Sequence, residues 1–137
     1  MKVIFLDIDG VLNTNLNKEI SNDKLKLLSE LVSKTGADVV LSSSWRNWWN
    51  HPKTNIPGSF ITKWKKQFLD NNISITLTTE LECPKNLSIE KFITQHNVKS
   101  FVVLDDQNVF DKNLVQTDAE QGLTQFDCQK AFQLLLN

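Results

Sequence analysis

The chain has 137 residues, 40% of them hydrophobic and 23% charged, with a formal net charge of −1 at pH 7. These values exclude a disordered or fibrous chain and are typical of one globular domain, which we predict to span residues 1–137. A net charge so close to zero does not indicate any class of partner.

Two further features of the sequence bear on its location. The two cysteines, Cys83 and Cys128, are spaced unlike any metal or redox motif, as is usual in a reducing compartment. The first residues, MKVIFLDIDG, lack the length and the cleavage site of a signal peptide. No apolar run approaches the roughly 18 residues that a membrane span needs. We therefore expect a cytoplasmic protein without a membrane partner.

The first elements in chain order are a strand, a helix and a second strand. Residues 3–6 are apolar at every position, which is typical of a central parallel strand covered on both faces. Leucines at helical spacing follow, with Ser21 or Asn22 as the N-cap and Gly36 as the end of the helix. Residues 38–41 then have the pattern of a second strand.

The second half of the chain continues this alternation. Behind Ser59, the aromatic residues Phe60, Trp64 and Phe68 recur every four positions and predict an amphipathic helix. The remaining predictions are strands over residues 73–78, 101–104 and 113–117 and helices over residues 87–96 and 124–135. Five strands alternating with four helices predict an α/β fold with a single, doubly wound, mainly parallel sheet.

Acidic and hydroxyl side chains follow three of these strands at once. Asp7 and Asp9 end the first strand, serines 42–44 end the second, and Asp105 and Asp106 end the fourth. The carboxyl ends of parallel strands form the active site of such sheets, so these groups are expected to converge. Crowded carboxylates require raised pKa values or a cation, and an all-oxygen ligand set favours Mg²⁺.

These residues, in this order, resemble the four motifs of the haloacid dehalogenase superfamily of phosphohydrolases. The residues that carry the resemblance are Asp7-Ile8-Asp9-Gly10, a serine that closes the second strand, a lysine before the next helix and Leu104-Asp105-Asp106. The stretches VVLSSSWR, VVLDD and GLT are similar to the compact branch found as phosphatase modules in RNA repair proteins. The resemblance implies a Rossmann-like sheet of order 5-4-1-2-3. The spacing between the motifs leaves no room for a substantial cap.

The resemblance also implies a reaction, a Mg²⁺-dependent phosphohydrolysis through an aspartyl-phosphate intermediate. Asp7 would be the nucleophile and a metal ligand. Asp9 would be the general acid and base and would bind the metal through its backbone carbonyl. Gly10 would allow the sharp strand exit beside the substrate. Asp105 and Asp106 would complete the metal site, and the sequence does not decide which of them binds directly.

Two other motif positions follow from the same resemblance. Ser43 is the preferred hydroxyl for a phosphate oxygen, with Ser42 as the alternative and Ser44 also adjacent to the substrate. Lys85 is the expected catalytic cation because it stands at the start of a helix, with Lys91 as the alternative.

A basic, aromatic segment follows the serines. Residues 46–70 carry five basic side chains against one acid, a net +4. Within it, Arg46 is either a bidentate phosphate contact or an ordinary surface arginine. Interleaved aromatic residues make the segment a candidate surface for single-stranded nucleic acid, although some of them would instead serve the core. These aromatic residues are Trp45, Trp48, Trp49 and His51.

The sequence leaves three hypotheses about function. The preferred substrate of a phosphohydrolase with an open site is a phosphorylated nucleic-acid end or a nucleotide. The alternative is a non-catalytic module that retains the fold and binds a phosphorylated partner. A phosphorylatable receiver domain is disfavoured, because its third strand should end in an aspartate and this one ends in Thr78-Thr79-Glu80. The oligomeric state is left open.

Overall fold

The computed structural model describes residues 1–136. Its strands form one sheet in the order β3-β2-β1-β4-β5, with every neighbouring pair parallel. This is the predicted order 5-4-1-2-3 viewed from the opposite edge, so the α/β prediction is confirmed. The strands are β1 (Lys2–Leu6), β2 (Asp38–Leu41), β3 (Leu77–Thr78), β4 (Ser100–Asp105) and β5 (Leu114–Gln116). The helices are α1 (Asn22–Thr35), α2 (Arg46–Trp49), α3 (Phe60–Asp70), α4 (Lys85–Gln95) and α5 (Gln125–Leu135).

The central strand β1 is buried on both faces. Ile4 and Leu6 belong to the larger core cluster, which also contains residues of α1, α3 and α5. Val3 and Phe5 belong to a smaller cluster on the opposite face, where α4 packs. All four side chains are fully buried, which explains why the strand is apolar at every position.

The predicted helix boundaries are set by local capping. The Ser21 side chain accepts a hydrogen bond from the backbone N–H of Lys24, and α1 ends at Gly36 in a left-handed conformation with φ of 69°. Ser59 caps α3 in the same way, by accepting from the N–H of Thr62. These polar residues therefore determine where the two helices begin.

The predicted element boundaries needed three corrections. β3 contains only Leu77–Thr78 of the predicted strand 73–78, because pairing with the short edge of β2 extends over just those residues. The short helix α2 lies in a stretch predicted to be a loop. α4 begins at Lys85 rather than Leu87, directly after Pro84, whose fixed φ suits the start of a helix.

The longest connection, residues 42–76, adds to the core instead of forming a cap. Trp49 of α2 and Ile61, Trp64 and Phe68 of α3 all belong to the larger core cluster. The carboxyl edge of the sheet is therefore left open. No helix within residues 1–136 is long and apolar enough to cross a membrane.

Candidate active site

The carboxyl ends of β1 and β4 bring three acids together. Asp7, Asp105 and Asp106 each offer an oxygen within 4.8 Å of the other two. Backbone pairing aligns the two strands, since the N–H of Asp7 donates to the carbonyl of Leu104 at 3.0 Å. Asp7 and Asp105 are almost completely buried. The strand register therefore sets the spacing of the cluster.

Side-chain alternation decides which face of the sheet carries these acids. Phe5 and Val103 belong to the core cluster beneath α4. Asp7 and Asp105 follow them by two positions, so they continue the same face. Lys85, the first residue of α4, lies on that face, with its Nζ 3.3 Å from Asp7 Oδ1 and 3.0 Å from Asp105 Oδ2. The lysine and the buried acids thus form one ionic group.

Burial, together with the charges of neighbouring groups, shifts the pKa values of Asp7, Asp106 and Lys85. Burial, followed by the nearby charge of Asp105, raises the pKa of Asp7 from 3.8 to about 7, although Lys85 acts in the opposite direction. Burial and Asp105 also raise the pKa of Asp106. Burial alone would lower the pKa of Lys85, but Asp7 and Asp105 outweigh it, so the pKa is raised above 10.5. One ammonium group therefore does not fully compensate the acidic cluster.

The donor set fits a hard divalent cation. All three acids offer carboxylate oxygen, and the ammonium of Lys85 contacts two of them, so the cluster holds more acids than cations. Mg²⁺ prefers oxygen ligands of this kind. Asp7, Asp105 and Asp106 are the side chains that would hold it.

Gly10 is required by the space beside this cluster. Its φ is +81°, and a Cβ at this position would lie 2.7 Å from the Cβ of Asp106. Its carbonyl accepts a hydrogen bond of 2.7 Å from the hydroxyl of Thr117, which anchors the turn to the end of β5. Any larger residue would strain the backbone and displace Asp106.

The carboxylate of Asp9 lies outside the three-acid cluster and is held by two donors. Asn13 Nδ2 donates to Oδ1 at 2.9 Å, and the indole Nε1 of Trp45 donates to Oδ2 at 2.8 Å. The backbone carbonyl of Asp9 accepts no hydrogen bond from residues 1–136, which leaves that oxygen available to a metal. The side chain of Asp9 and its backbone carbonyl can therefore bind different groups.

Sequence reasoning missed Asn13. This side chain is 1% exposed, accepts the N–H of Gly10 at 2.9 Å and donates to the carbonyl of Lys18 at 2.9 Å. It thereby fixes both the turn and the carboxylate of Asp9. The available signal was an asparagine four positions after an acid in a tight turn, where its amide commonly bonds to nearby backbone.

The three serines have distinct environments. Ser42 is fully buried, and its Oγ is the buried side-chain polar atom that lacks a hydrogen-bond partner within residues 1–136. Ser42 follows Val40 by two positions and so continues the face that carries α4. Ser43 Oγ instead accepts the backbone N–H of Trp45 at 3.1 Å, and Ser44 is exposed. Ser42 Oγ is thus without a partner within residues 1–136, whereas Ser43 Oγ is engaged by the backbone, and the choice between them stays a prediction.

Arg46 is buried, so it is not the ordinary surface arginine that was one of its two predicted roles, and its contact with a phosphate stays a prediction. The side chain is 4% exposed, and its guanidinium donates to the carbonyls of Ser42 and Ser43 at 3.1 Å each. It also donates to the carbonyls of Glu80 and Cys83. Arg46 therefore ties the serine loop to the residues before α4, because its rigid fork can donate to several carbonyls at once.

The aromatic residues predicted as one surface divide into three environments. Trp49 is 3% exposed and packs against Phe68 in the core, so it cannot stack on a ligand. Trp48 is exposed and contacts the ring of His51. Trp45 is half-buried beside Asp9. The structure therefore leaves fewer of these aromatic side chains available to a ligand than the sequence indicated.

Comparison with known proteins agrees with this site. Residues 3–128 match the family model described as the HAD domain in Swiss Army Knife RNA repair proteins. The match covers most of the chain, and the chain belongs to this family, in which HAD stands for haloacid dehalogenase. Membership indicates a phosphohydrolase type of function in RNA repair. Comparisons with curated proteins and with solved structures found no match.

Proposed function

We propose that the protein is a Mg²⁺-dependent phosphohydrolase that acts through an aspartyl phosphate on phosphorylated nucleic-acid ends or nucleotides. The observation that carries this proposal is the convergence of Asp7, Asp105, Asp106 and Lys85 at one edge of the sheet. Structural ion pairs also form buried groups, but three acids beside one lysine leave negative charge that a bound cation would neutralise.

Asp7 is the proposed nucleophile. A carboxylate oxygen of Asp7 attacks phosphorus, and the bond between phosphorus and the leaving oxygen breaks. Lys85 contacts Asp7 and Asp105 and favours the ionised nucleophile. When bound, Mg²⁺ would neutralise charge on the transferring phosphoryl group and lower the pKa of its carboxylate ligands.

Asp9 is the proposed acid and base. It gives a proton to the leaving oxygen in the first step. In the second step it takes a proton from the water that attacks the aspartyl phosphate, which releases inorganic phosphate and restores Asp7. Asn13 and Trp45 hold the Asp9 carboxylate away from the three-acid cluster.

Ser42 is the proposed phosphate-binding hydroxyl. Its Oγ has no partner within residues 1–136, and a buried unpaired hydroxyl is costly unless a ligand completes its hydrogen bond. Its N–H pairs with the carbonyl of Leu6 at 2.9 Å, which places Ser42 level with Asp7 on the neighbouring strand.

The substrate proposal depends on the open edge of the sheet and on the family. A site without a cap suits a phosphate on the end of a macromolecule, because a small metabolite is usually enclosed before reaction. RNA repair, which the family indicates, involves such ends.

The test of this function is phosphate release from an aryl phosphate and from 3′- and 5′-phosphorylated oligonucleotides. We expect turnover that requires Mg²⁺, stops with a chelator and is lost in Asp7→Asn. Turnover equal in wild type and Asp7→Asn, or none on any substrate, would contradict the proposal and favour a non-catalytic binding module. The matched control is Asp111→Asn, an exposed acid outside the cluster.

A further inference from the structure

A groove lies directly beside Asp9, between the serine loop and α3. Its volume is about 700 Å³, and Asp9, Trp45, Phe60, Lys63 and Trp64 are among the residues that line it. Small-molecule sites commonly measure about 300–1,000 Å³, so the groove has room for a nucleoside. Asp9, three positions after the end of β1, is the residue that connects this groove with the carboxyl edge of the sheet.

Phe60 is an exposed aromatic side chain in the lining of this groove. It begins the apolar stripe of α3, but it is 43% exposed, whereas Trp64 and Phe68 of the same stripe are 8% and 2% exposed. The ring is nevertheless held firmly. Its centroid lies 5.1 Å from those of Trp45 and Trp64, and both pairs are close to perpendicular. A large, fixed and exposed aromatic ring beside a reactive acid is suited to a flat ligand.

The position of the groove identifies which part of a substrate enters it. Trp45 lines the groove and donates its Nε1–H to Asp9. Asp9, in the proposed function, gives its proton to the leaving oxygen. The part of the substrate that is bonded to the leaving oxygen therefore lies next to Asp9. The groove is the cleft that Asp9 lines, so this part of the substrate can enter it.

We propose that this groove binds the terminal nucleoside of a phosphorylated single strand, with its base stacked on the exposed ring of Phe60. The proposal rests on the proposed function, since it takes Asp9 as the acid beside the leaving group. Base stacking tolerates every sequence, because each base presents a π-face. Two lysines, Lys18 and Lys63, line the groove together with the acids Asp9 and Glu19, so a phosphate of the strand has a cation within the groove.

Lys63 is the cation that this geometry assigns to the next phosphate of the strand. It lines the groove one turn after Phe60 on α3. Lys66 lies one turn further along, is paired with Asp70 and is absent from the residues that line the groove. Both lysines therefore belong to α3, but Lys63 lines the groove and Lys66 does not.

The experiment measures binding rather than turnover, so that it is independent of catalysis. A fluorescein-labelled single strand with a terminal phosphate is titrated with Asp7→Asn protein and Mg²⁺, and anisotropy is recorded. The same titration uses a strand whose terminal nucleotide lacks its base. The variants are Phe60→Ala and Phe60→Leu, and the control is Leu69→Ala, an exposed residue of α3 outside the groove.

We expect Phe60→Ala to weaken binding of the complete strand by about 5- to 150-fold, the range for loss of one stacked base. Phe60→Leu should also weaken it, and neither variant should affect the strand that lacks the base. Lys63→Ala should reduce the slope of log K against log salt by about 0.7, while Lys66→Ala should not.

Equal effects of Phe60→Ala on both strands, or an effect no larger than that of Leu69→Ala, would overturn the proposal. A sugar of the strand as the occupant would produce the first of these results, and a peptide as the occupant would produce the second. Wild-type turnover of an aryl phosphate is measured separately. Turnover without a base-dependent effect at Phe60 rejects the groove proposal alone, whereas base-dependent binding without turnover rejects the phosphohydrolase.

Discussion

The indole Nε1 of Trp45 lies 2.8 Å from Oδ2 of Asp9, although the two residues are 36 positions apart in the chain. This hydrogen bond joins the loop after β2 to the turn after β1. It is reinforced from the other side by Asn13, which donates to Oδ1. The proposed acid of the reaction is therefore oriented by two donors that come from different loops.

Trp45→Phe removes this N–H and keeps an aromatic ring. We expect kcat to fall by about 3- to 10-fold, the value of a typical net hydrogen bond, because Asp9 would lose its fixed orientation. Mg²⁺ affinity, measured by calorimetry, should not change. Trp48→Phe is the control, since Trp48 lies in the neighbouring helix α2 and is not among the residues that line the groove. An equal loss in both variants would show that packing, and not the hydrogen bond, is responsible.

Asp7→Asn should stabilise the metal-free protein at neutral pH. The folded-state pKa of Asp7 is raised from 3.8 to about 7, so the stabilising contribution of this carboxyl is complete below pH 3.8 and is lost as pH rises through 7. The Tm of Asp7→Asn should therefore exceed that of wild type increasingly from pH 4 to pH 7. A few degrees are expected, because about 1 kcal/mol corresponds to roughly 2–8 °C. A difference that does not vary with pH would contradict the raised pKa.

Ser42→Ala and Ser43→Ala should have opposite effects on stability. Removing the unpaired Ser42 Oγ should leave the free energy of unfolding unchanged or raise it by up to about 1–3 kcal/mol. Ser43→Ala should lower it, because Ser43 Oγ accepts the N–H of Trp45. In activity assays, Ser42→Ala should cause the larger loss of kcat/KM. Larger losses in Ser43→Ala would restore Ser43 as the phosphate-binding hydroxyl.

Arg46→Met should lower the free energy of unfolding more than it affects substrate binding. The buried carbonyl of Ser42 would lose its side-chain donor, and a buried unpaired group costs about 1–3 kcal/mol. The carbonyls of Ser43, Glu80 and Cys83 would lose one hydrogen bond each. Urea unfolding should show the loss, and the exposed Lys53→Met should show none. A raised KM with unchanged stability would instead indicate the phosphate contact that the sequence predicted.

The fold and the location of the site could be predicted from the sequence, for identifiable reasons. Residues 3–6 are uniformly apolar because β1 is buried on both faces, and that pattern fixes β1 as central. Parallel register then places Asp7 and Asp105 at one level. Lys85 begins the helix that packs on their face. These relationships follow from strand periodicity and topology, which are local or nearly local properties.

The partners of individual side chains could not be predicted in the same way. The hydrogen bonds of Asp9, Asn13 and Arg46 depend on how loops from distant parts of the chain meet. The choice between Ser42 and Ser43 depends on where the strand alternation gives way to a turn. Phe60 fits the apolar stripe of α3, but only the packed structure shows that its ring remains exposed.

The most direct test of the proposed chemistry is to trap the phosphorylated enzyme. Asp9→Asn is mixed with Mg²⁺ and an aryl phosphate whose leaving group needs no proton, so that the first step proceeds and the second lacks its base. After an acid quench, peptic peptides are analysed by mass spectrometry. We expect a phosphoryl group on Asp7, which should be absent with chelator or in an Asp7→Asn, Asp9→Asn double variant. Turnover by wild type without any phosphoryl group on Asp7, or a phosphoryl group on another residue, would contradict the mechanism.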